Sequence, residues 1–107
     1  LSFTEYMIMH HLNDAPSNTM RRIDLAESVG ITASGVTRLL APMEKIGLLQ
    51  KEQNPRDARV SLVKLGEAGQ KLYQDATISF EDFAESKLSS LSKNQLETLT
   101  ELSRKIL

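Results

Sequence analysis

The residues of this chain best suited to chemistry stand at Thr32-Ala33-Ser34-Gly35-Val36-Thr37-Arg38, where small polar groups and a guanidinium fall within two helical turns. Thr32, Ser34 and Thr37 can each donate and accept hydrogen bonds, and Arg38 can pair with a phosphate or a base edge. Side chains this short, with Gly35 among them, let the start of a helix enter the major groove of duplex DNA, and a helix N-terminus also attracts phosphate. The alternative is that the Ser and Thr residues here do no more than cap the helix. A second polar cluster, Asn54-Pro55-Arg56-Asp57-Ala58-Arg59, has the composition of a hairpin tip.

Other chemistries find little material. The chain has no cysteine, which excludes disulfides, thiolate zinc sites and a thiol nucleophile. There is no Gly-rich phosphate loop, Ser/His/Asp spacing or zinc signature, so an enzyme is not expected. The two histidines, His10 and His11, are adjacent and project about 100° apart on a helix; a metal site would need further ligands, and none is expected. No apolar run approaches the roughly 18 residues of a membrane span, and the N-terminal stretch lacks the marks of a signal peptide, so a soluble, cytoplasmic chain without a membrane partner is expected. The formal net charge is −1 over 107 residues, but its distribution is uneven. Eight basic residues face five acidic ones between residues 21 and 64, and both flanks are acidic. Any polyanion footprint must therefore be local to the middle of the chain.

The elements that would position these groups are mostly helices. Ser2-Phe3-Thr4-Glu5 reads as a capping box, and Phe3, Tyr6, Met7, Met9 and Leu12 continue an apolar stripe to a helix end near Asn13. Turn chemistry at residues 14–18 precedes a short second helix spaced by Ile23, Leu25, Ala26 and Val29 and stopped by Gly30. A tight turn leads to a third helix, capped by Thr32 or Ser34 and running to Gly47, with Val36, Leu39 and Leu40 inward and Ser34, Thr37 and Arg38 outward. Pro42 removes one of its hydrogen bonds and predicts a bend or a loosened turn. Two short strands, 48–53 and 60–65, flank the polar tip as a wing. From Glu67, apolar residues recur every three to four positions as far as Leu91, and Ser92-Lys93-Asn94-Gln95 opens a last amphipathic helix seamed by Leu96, Leu99, Leu102 and Ile106. These late seams exceed the partner surface within so short a chain, which points to a subunit interface unless they fold back on the first helix. The expected class is mainly α with a small β-hairpin wing, a winged helix-turn-helix at residues 20–65 flanked by helical segments at 1–13 and 67–107, all within one domain.

Ile23-Asp24-Leu25-Ala26-Glu27-Ser28-Val29-Gly30, Val36-Thr37-Arg38-Leu39-Leu40, Glu44-Lys45-Ile46-Gly47-Leu48-Leu49, the 54–59 tip and Leu62-Val63-Lys64-Leu65 together resemble the MarR (multiple antibiotic resistance regulator) family of bacterial transcription factors, over nearly the whole chain. The family usually begins with one further dimer-forming helix, and this sequence starts at what would be the second. Gly66 stands where a Thr commonly caps the long helix. The resemblance implies a homodimer whose flanking helices dimerise, a pseudo-palindromic DNA operator, and a repressor released by a small-molecule effector.

By position, Asp57 and Arg59 match the family's Asp-x-Arg wing, in which Arg59 would enter the minor groove and Asp57 would brace the hairpin. Arg38 matches a position expected to touch phosphate or a base edge, with Arg56 on the wing and Lys51 as phosphate neighbours. Arg21 and Arg22, unfavourable at a helix N-terminus, are either phosphate contacts or solvated arginines. The family's effector cleft would fall near Tyr6, Met9, His10 and Phe80, which could line a pocket for a small aromatic or apolar effector, or could be plain core. No cofactor is implied. A winged-helix protein-interaction module that ignores DNA is the competing reading.

Overall fold

The computed structural model describes residues 1–89 and 91–106; Ser90 and Leu107, within the expected 67–107 helical segment, lie outside the described residues. The elements run α1 (Phe3–Asp14), a 3-10 turn (Pro16–Asn18), β1 (Thr19–Arg21), α2 (Arg22–Val29), α3 (Ala33–Lys45), β2 (Leu49–Asn54), β3 (Asp57–Leu65), α4 (Glu67–Lys87) and α5 (Lys93–Ile106). The chain divides into two compact units, residues 1–74 and 75–107.

In the first unit α1, α2 and α3 each have one end at which the sequence provides a partner for unsatisfied backbone groups or a residue suited to the turn. Ser2 Oγ accepts from the Glu5 amide while the Glu5 carboxylate accepts from the Ser2 amide, closing the capping box of α1. These bonds also hold the Glu5 carboxyl below its ordinary pKa. Gly30 ends α2 with φ at +78°, a left-handed conformation that a Cβ would disfavour, and the Ile31 amide then bonds back to the Ala26 carbonyl. Thr32 caps α3, its Oγ1 accepting from the Gly35 amide at 3.0 Å. The helix then runs through Pro42 to Lys45.

The apolar faces of these helices converge on one core. Ile8, Met9 and Leu12 of α1 meet Leu25 and Ala26 of α2, Val36, Leu40 and Met43 of α3, and Leu48, Leu49, Val63 and Leu65 from the sheet region. Ile23, read from its spacing as part of the α2 stripe, is instead exposed.

The sheet differs from the expected hairpin in two respects. It has three antiparallel strands in the order β1-β3-β2, with Met20 opposite Val63. β1 has three residues, too few for an alternating pattern, and its existence depends on the free edge of β3. The wing strands also reach further, leaving only Pro55 and Arg56 between β2 and β3. Asn54 Oδ1 accepts from the Arg56 amide at 2.9 Å, an Asx turn that closes the hairpin early. Because most side chains from Gln50 to Ser61 are exposed on both faces, no hydrophobic alternation marks these outer strand residues in the sequence.

The second unit contains most of α4 and all of α5. Residues expected to form apolar seams are exposed here, including Phe80 and Phe83 of α4 and Leu99, Leu102 and Ile106 of α5, and so is Ile78 of α4. α4 ends at Lys87, short of the expected Leu91, although the Leu88 amide still bonds to the Ala84 carbonyl. Ser92 and Gln95 form the second capping box as expected.

Candidate nucleic-acid interface

The start of α3 presents Ser34, Thr37 and Arg38 to solvent while Val36 and Leu40 on the opposite face are fully buried. Burial of that face therefore fixes which side chains are offered outward. The exposed hydroxyls already have partners. Thr32 Oγ1, besides capping the helix, lies 3.3 Å from Ser34 Oγ, and Thr37 Oγ1 donates to the Ala33 carbonyl at 3.1 Å. Gly35 is partly buried, and a Cβ there would stand 3.0 Å from Thr32 Oγ1, so a small residue keeps the cap intact.

On the wing, Asp57 grips Arg59 three ways. Its carboxylate accepts from the Arg59 amide at 3.0 Å, from Nε at 3.1 Å and from Nη2 at 3.2 Å. The Arg59 side chain is nonetheless 91% exposed, so the fork orders the guanidinium without removing it from solvent. The same bonds, the side-chain ones first, hold the Asp57 carboxyl below its ordinary value. A carboxyl pKa that is lower in the folded chain stabilises the wing at pH values above the ordinary aspartate range of about 3.9, and that contribution disappears as pH falls through the lowered value. NMR titration should show Arg59 side-chain signals constant down to about pH 4 and shifting only below it. In Arg59→Ala the Asp57 midpoint should rise back toward an ordinary aspartate; an unchanged midpoint would show that the fork does not hold the carboxylate. Arg56 is exposed beside this pair, its amide turned inward to Asn54.

The remaining expected phosphate contacts do not share one environment. Arg21 is forked onto Asp24 at 2.8 and 2.9 Å, which raises the guanidinium pKa and lowers that of the carboxyl. Lys51 is 75% exposed, with Nζ 3.8 Å from Glu44. Arg22 changes most from expectation: its guanidinium pairs with Glu44, and the two side chains are only 15% and 13% exposed. It ties α2 to α3 and is mostly withdrawn from solvent.

The pairing role of Glu44 was not read from the sequence, although a signal for it existed. Val36, Leu40 and Glu44 follow each other at four-residue steps, so an acid stands on the inward stripe of α3, where burial demands a partner. Glu44→Ala should leave Arg22 half-buried and unpaired and lower stability by about 2 kcal/mol. In urea this should appear as a lower midpoint at unchanged slope. A midpoint within error of wild type would show that Arg22 finds water as readily.

The residues expected around an effector differ in burial and in partners. Met9 is fully buried in the core, where neighbouring side chains already fill its surroundings, and so offers no pocket wall. Tyr6 and His10 meet over Tyr73, which sequence reasoning did not single out: the Tyr6 and Tyr73 rings stack at 5.2 Å, and His10 Nδ1 lies 2.8 Å from the Tyr73 hydroxyl. His10 Nε2 also lies 3.5 Å from Asp14. Burial, then the neighbouring His10, lowers the His11 pKa, in keeping with a buried Nε2 that has no hydrogen-bond partner among the described residues. Phe80 belongs to the second unit and is 67% exposed. No group of three or more His, Cys, Asp or Glu residues that could hold a metal occurs among the described residues.

The sequence model of the MarR family matches residues 1–61. Over its full 107 residues the chain is 29% identical to the transcriptional regulator HosA of Escherichia coli O111:H-, spanning 78% of that protein. It spans 65% and 48% of two other curated relatives, both uncharacterized HTH-type transcriptional regulators of Bacillus subtilis (strain 168). Among solved structures, Sco3205, a MarR family transcriptional regulator from Streptomyces coelicolor in complex with DNA, superposes with a TM-score of 0.79 at 23% identity, covering 99% of this chain and 67% of that one. The PcaV transcriptional regulator from the same organism, in complex with its natural ligand, gives 0.78 at 21% identity, covering 99% and 74%.

Proposed function

The chain belongs to the MarR family of transcriptional regulators, and from that premise we propose that it binds double-stranded DNA sequence-specifically through α3 and the β2–β3 wing. The observation that carries this reading is the Asp57–Arg59 fork, which holds an almost fully exposed guanidinium ready at the wing tip. Ordering an arginine before contact reduces the entropy lost on binding, and the narrow, electronegative minor groove is the surface such a group fits. The small polar start of α3 supplies the major-groove element, with Ser34, Thr37 and Arg38 outward. Arg56 and Lys51, both exposed, support it as phosphate contacts, and Arg21 could join them only by loosening its fork to Asp24.

The working form we propose is a cytoplasmic homodimer. Exposed apolar side chains on α4 and α5 favour association through those helices. Such a dimer would read a pseudo-palindromic operator as a repressor, released by a small aromatic or apolar effector. Tyr6, His10 and Tyr73 supply an aromatic and hydrogen-bonding surface suited to that ligand class.

Selection of bound sequences from a random duplex pool tests the proposal. The expected product is a two-fold symmetric pair of half-sites separated by about 10 base pairs or a multiple of it. Recovery of a pool with no enriched sequence would remove sequence-specific binding from the account.

A further inference from the structure

Thr37 lies on the exposed face of α3, five residues beyond the Thr32 cap, and the hydrogen of its hydroxyl is already used. Oγ1 donates to the Ala33 carbonyl at 3.1 Å. A threonine hydroxyl has one donor hydrogen and two acceptor lone pairs. With the hydrogen committed within the helix, Thr37 offers an incoming partner only acceptor capacity, and donation to Ala33 polarises the oxygen so that it accepts more strongly. Ser34 differs. Its contact with Thr32 Oγ1 is longer, at 3.3 Å, and either oxygen can be the donor, so its hydroxyl can turn to suit a donor or an acceptor. Arg38, the next residue, can only donate.

The major groove presents two kinds of exocyclic hydrogen-bonding group. Adenine and cytosine carry amines, which donate; guanine and thymine carry carbonyls, which accept. Resting on the reading of α3 as the major-groove helix, we propose that Thr37 is a specificity-determining residue that accepts a hydrogen bond from the exocyclic amine of an adenine or cytosine on the strand it faces. A guanine or thymine at that place would bring two acceptor oxygens together. Freeing the hydroxyl hydrogen to answer a carbonyl would sacrifice one hydrogen bond to gain another, so no net preference for a keto base arises.

The test begins with the duplex recovered from pool selection and deletes one amine at a time, replacing each adenine by purine and each cytosine by 2-pyrimidinone. The protein should lose roughly 3- to 10-fold in affinity at one such base in each half-site, the worth of a single hydrogen bond. Thr37→Val keeps the shape and methyl group but removes the oxygen. It should bind the unmodified duplex more weakly by a similar factor and ignore that particular deletion. Thr37→Ser, which keeps the hydroxyl, should retain the sensitivity. Because the site is exposed, both variants should melt with the parent protein, which circular dichroism verifies. If the parent and Thr37→Val both bind the selected duplex and respond alike to every amine deletion, Thr37 reads no amine and the inference falls while DNA binding stands. If neither binds any duplex, the functional reading falls with it.

Discussion

Gly69→Ala should lower the stability of the first unit by about 3 kcal/mol, because the added methyl has no room. A Cβ at this position would stand 2.2 Å from the Leu48 carbonyl oxygen and 2.8 Å from Leu65 Cδ1. The carbonyl cannot simply withdraw, since the Gly66 amide donates to it at 2.9 Å, and Leu48 and Leu65 both belong to the core. Accommodating the methyl therefore requires the start of α4 to lift from the segment joining α3 to β2. That movement would break the Gly66 bond and loosen the packing that holds the base of the wing. Thermal unfolding should show a midpoint lowered on the order of 10 °C or more. Lys71→Ala, on the exposed side of the same helix, should change stability by no more than about 0.5 kcal/mol. A Gly69→Ala midpoint within a degree or two of the parent would mean that the close approach is not maintained in solution.

Arg59→Ala should leave stability nearly untouched and weaken duplex binding by about 10- to 100-fold, the range for an arginine that reads a groove directly. The two effects separate because the side chain is 91% exposed while its fork to Asp57 sets its direction. Removal costs more than one contact: Asp57 is left as an unpaired negative charge on a surface meant to face phosphates. Arg59→Lys should recover only part of the loss, since an ammonium lacks the planar fork that donates to both carboxylate oxygens. Asp57→Ala should also weaken binding, by less, through the lost ordering of Arg59. Fluorescence anisotropy at one fixed salt concentration compares the series, and equal affinity of Arg59→Ala and the parent would exclude the wing from the interface.

The parts of this molecule legible in its sequence are those governed by local chemistry. Gly30 ends α2, Ser2 and Ser92 open α1 and α5, and Thr32 caps α3, because each needs partners only three to five residues away. The outward set Ser34, Thr37 and Arg38 followed from helical period alone once Val36 and Leu40 were taken as core. What stayed hidden depends on distant partners. β1 exists through its pairing with β3, some forty residues on, and Arg22 found Glu44 rather than solvent. Met9 shows a different limit, for a periodic stripe tells which side of a helix faces inward but not whether the inside is filled or hollow. Gly69, within a helix, reads from sequence only as a weak point, and its close approach to Leu48 belongs to the tertiary structure.

The central claim, that α3 and the wing form a duplex-DNA interface, is tested most directly by titrating the selected duplex over a series of salt concentrations with the parent protein and Arg59→Ala. The account predicts affinity that falls linearly on a log–log plot as salt rises, by displacement of counterions from phosphates, and a slope shallower by about one in the variant. Affinity that is indifferent to salt and unchanged by Arg59→Ala would contradict it.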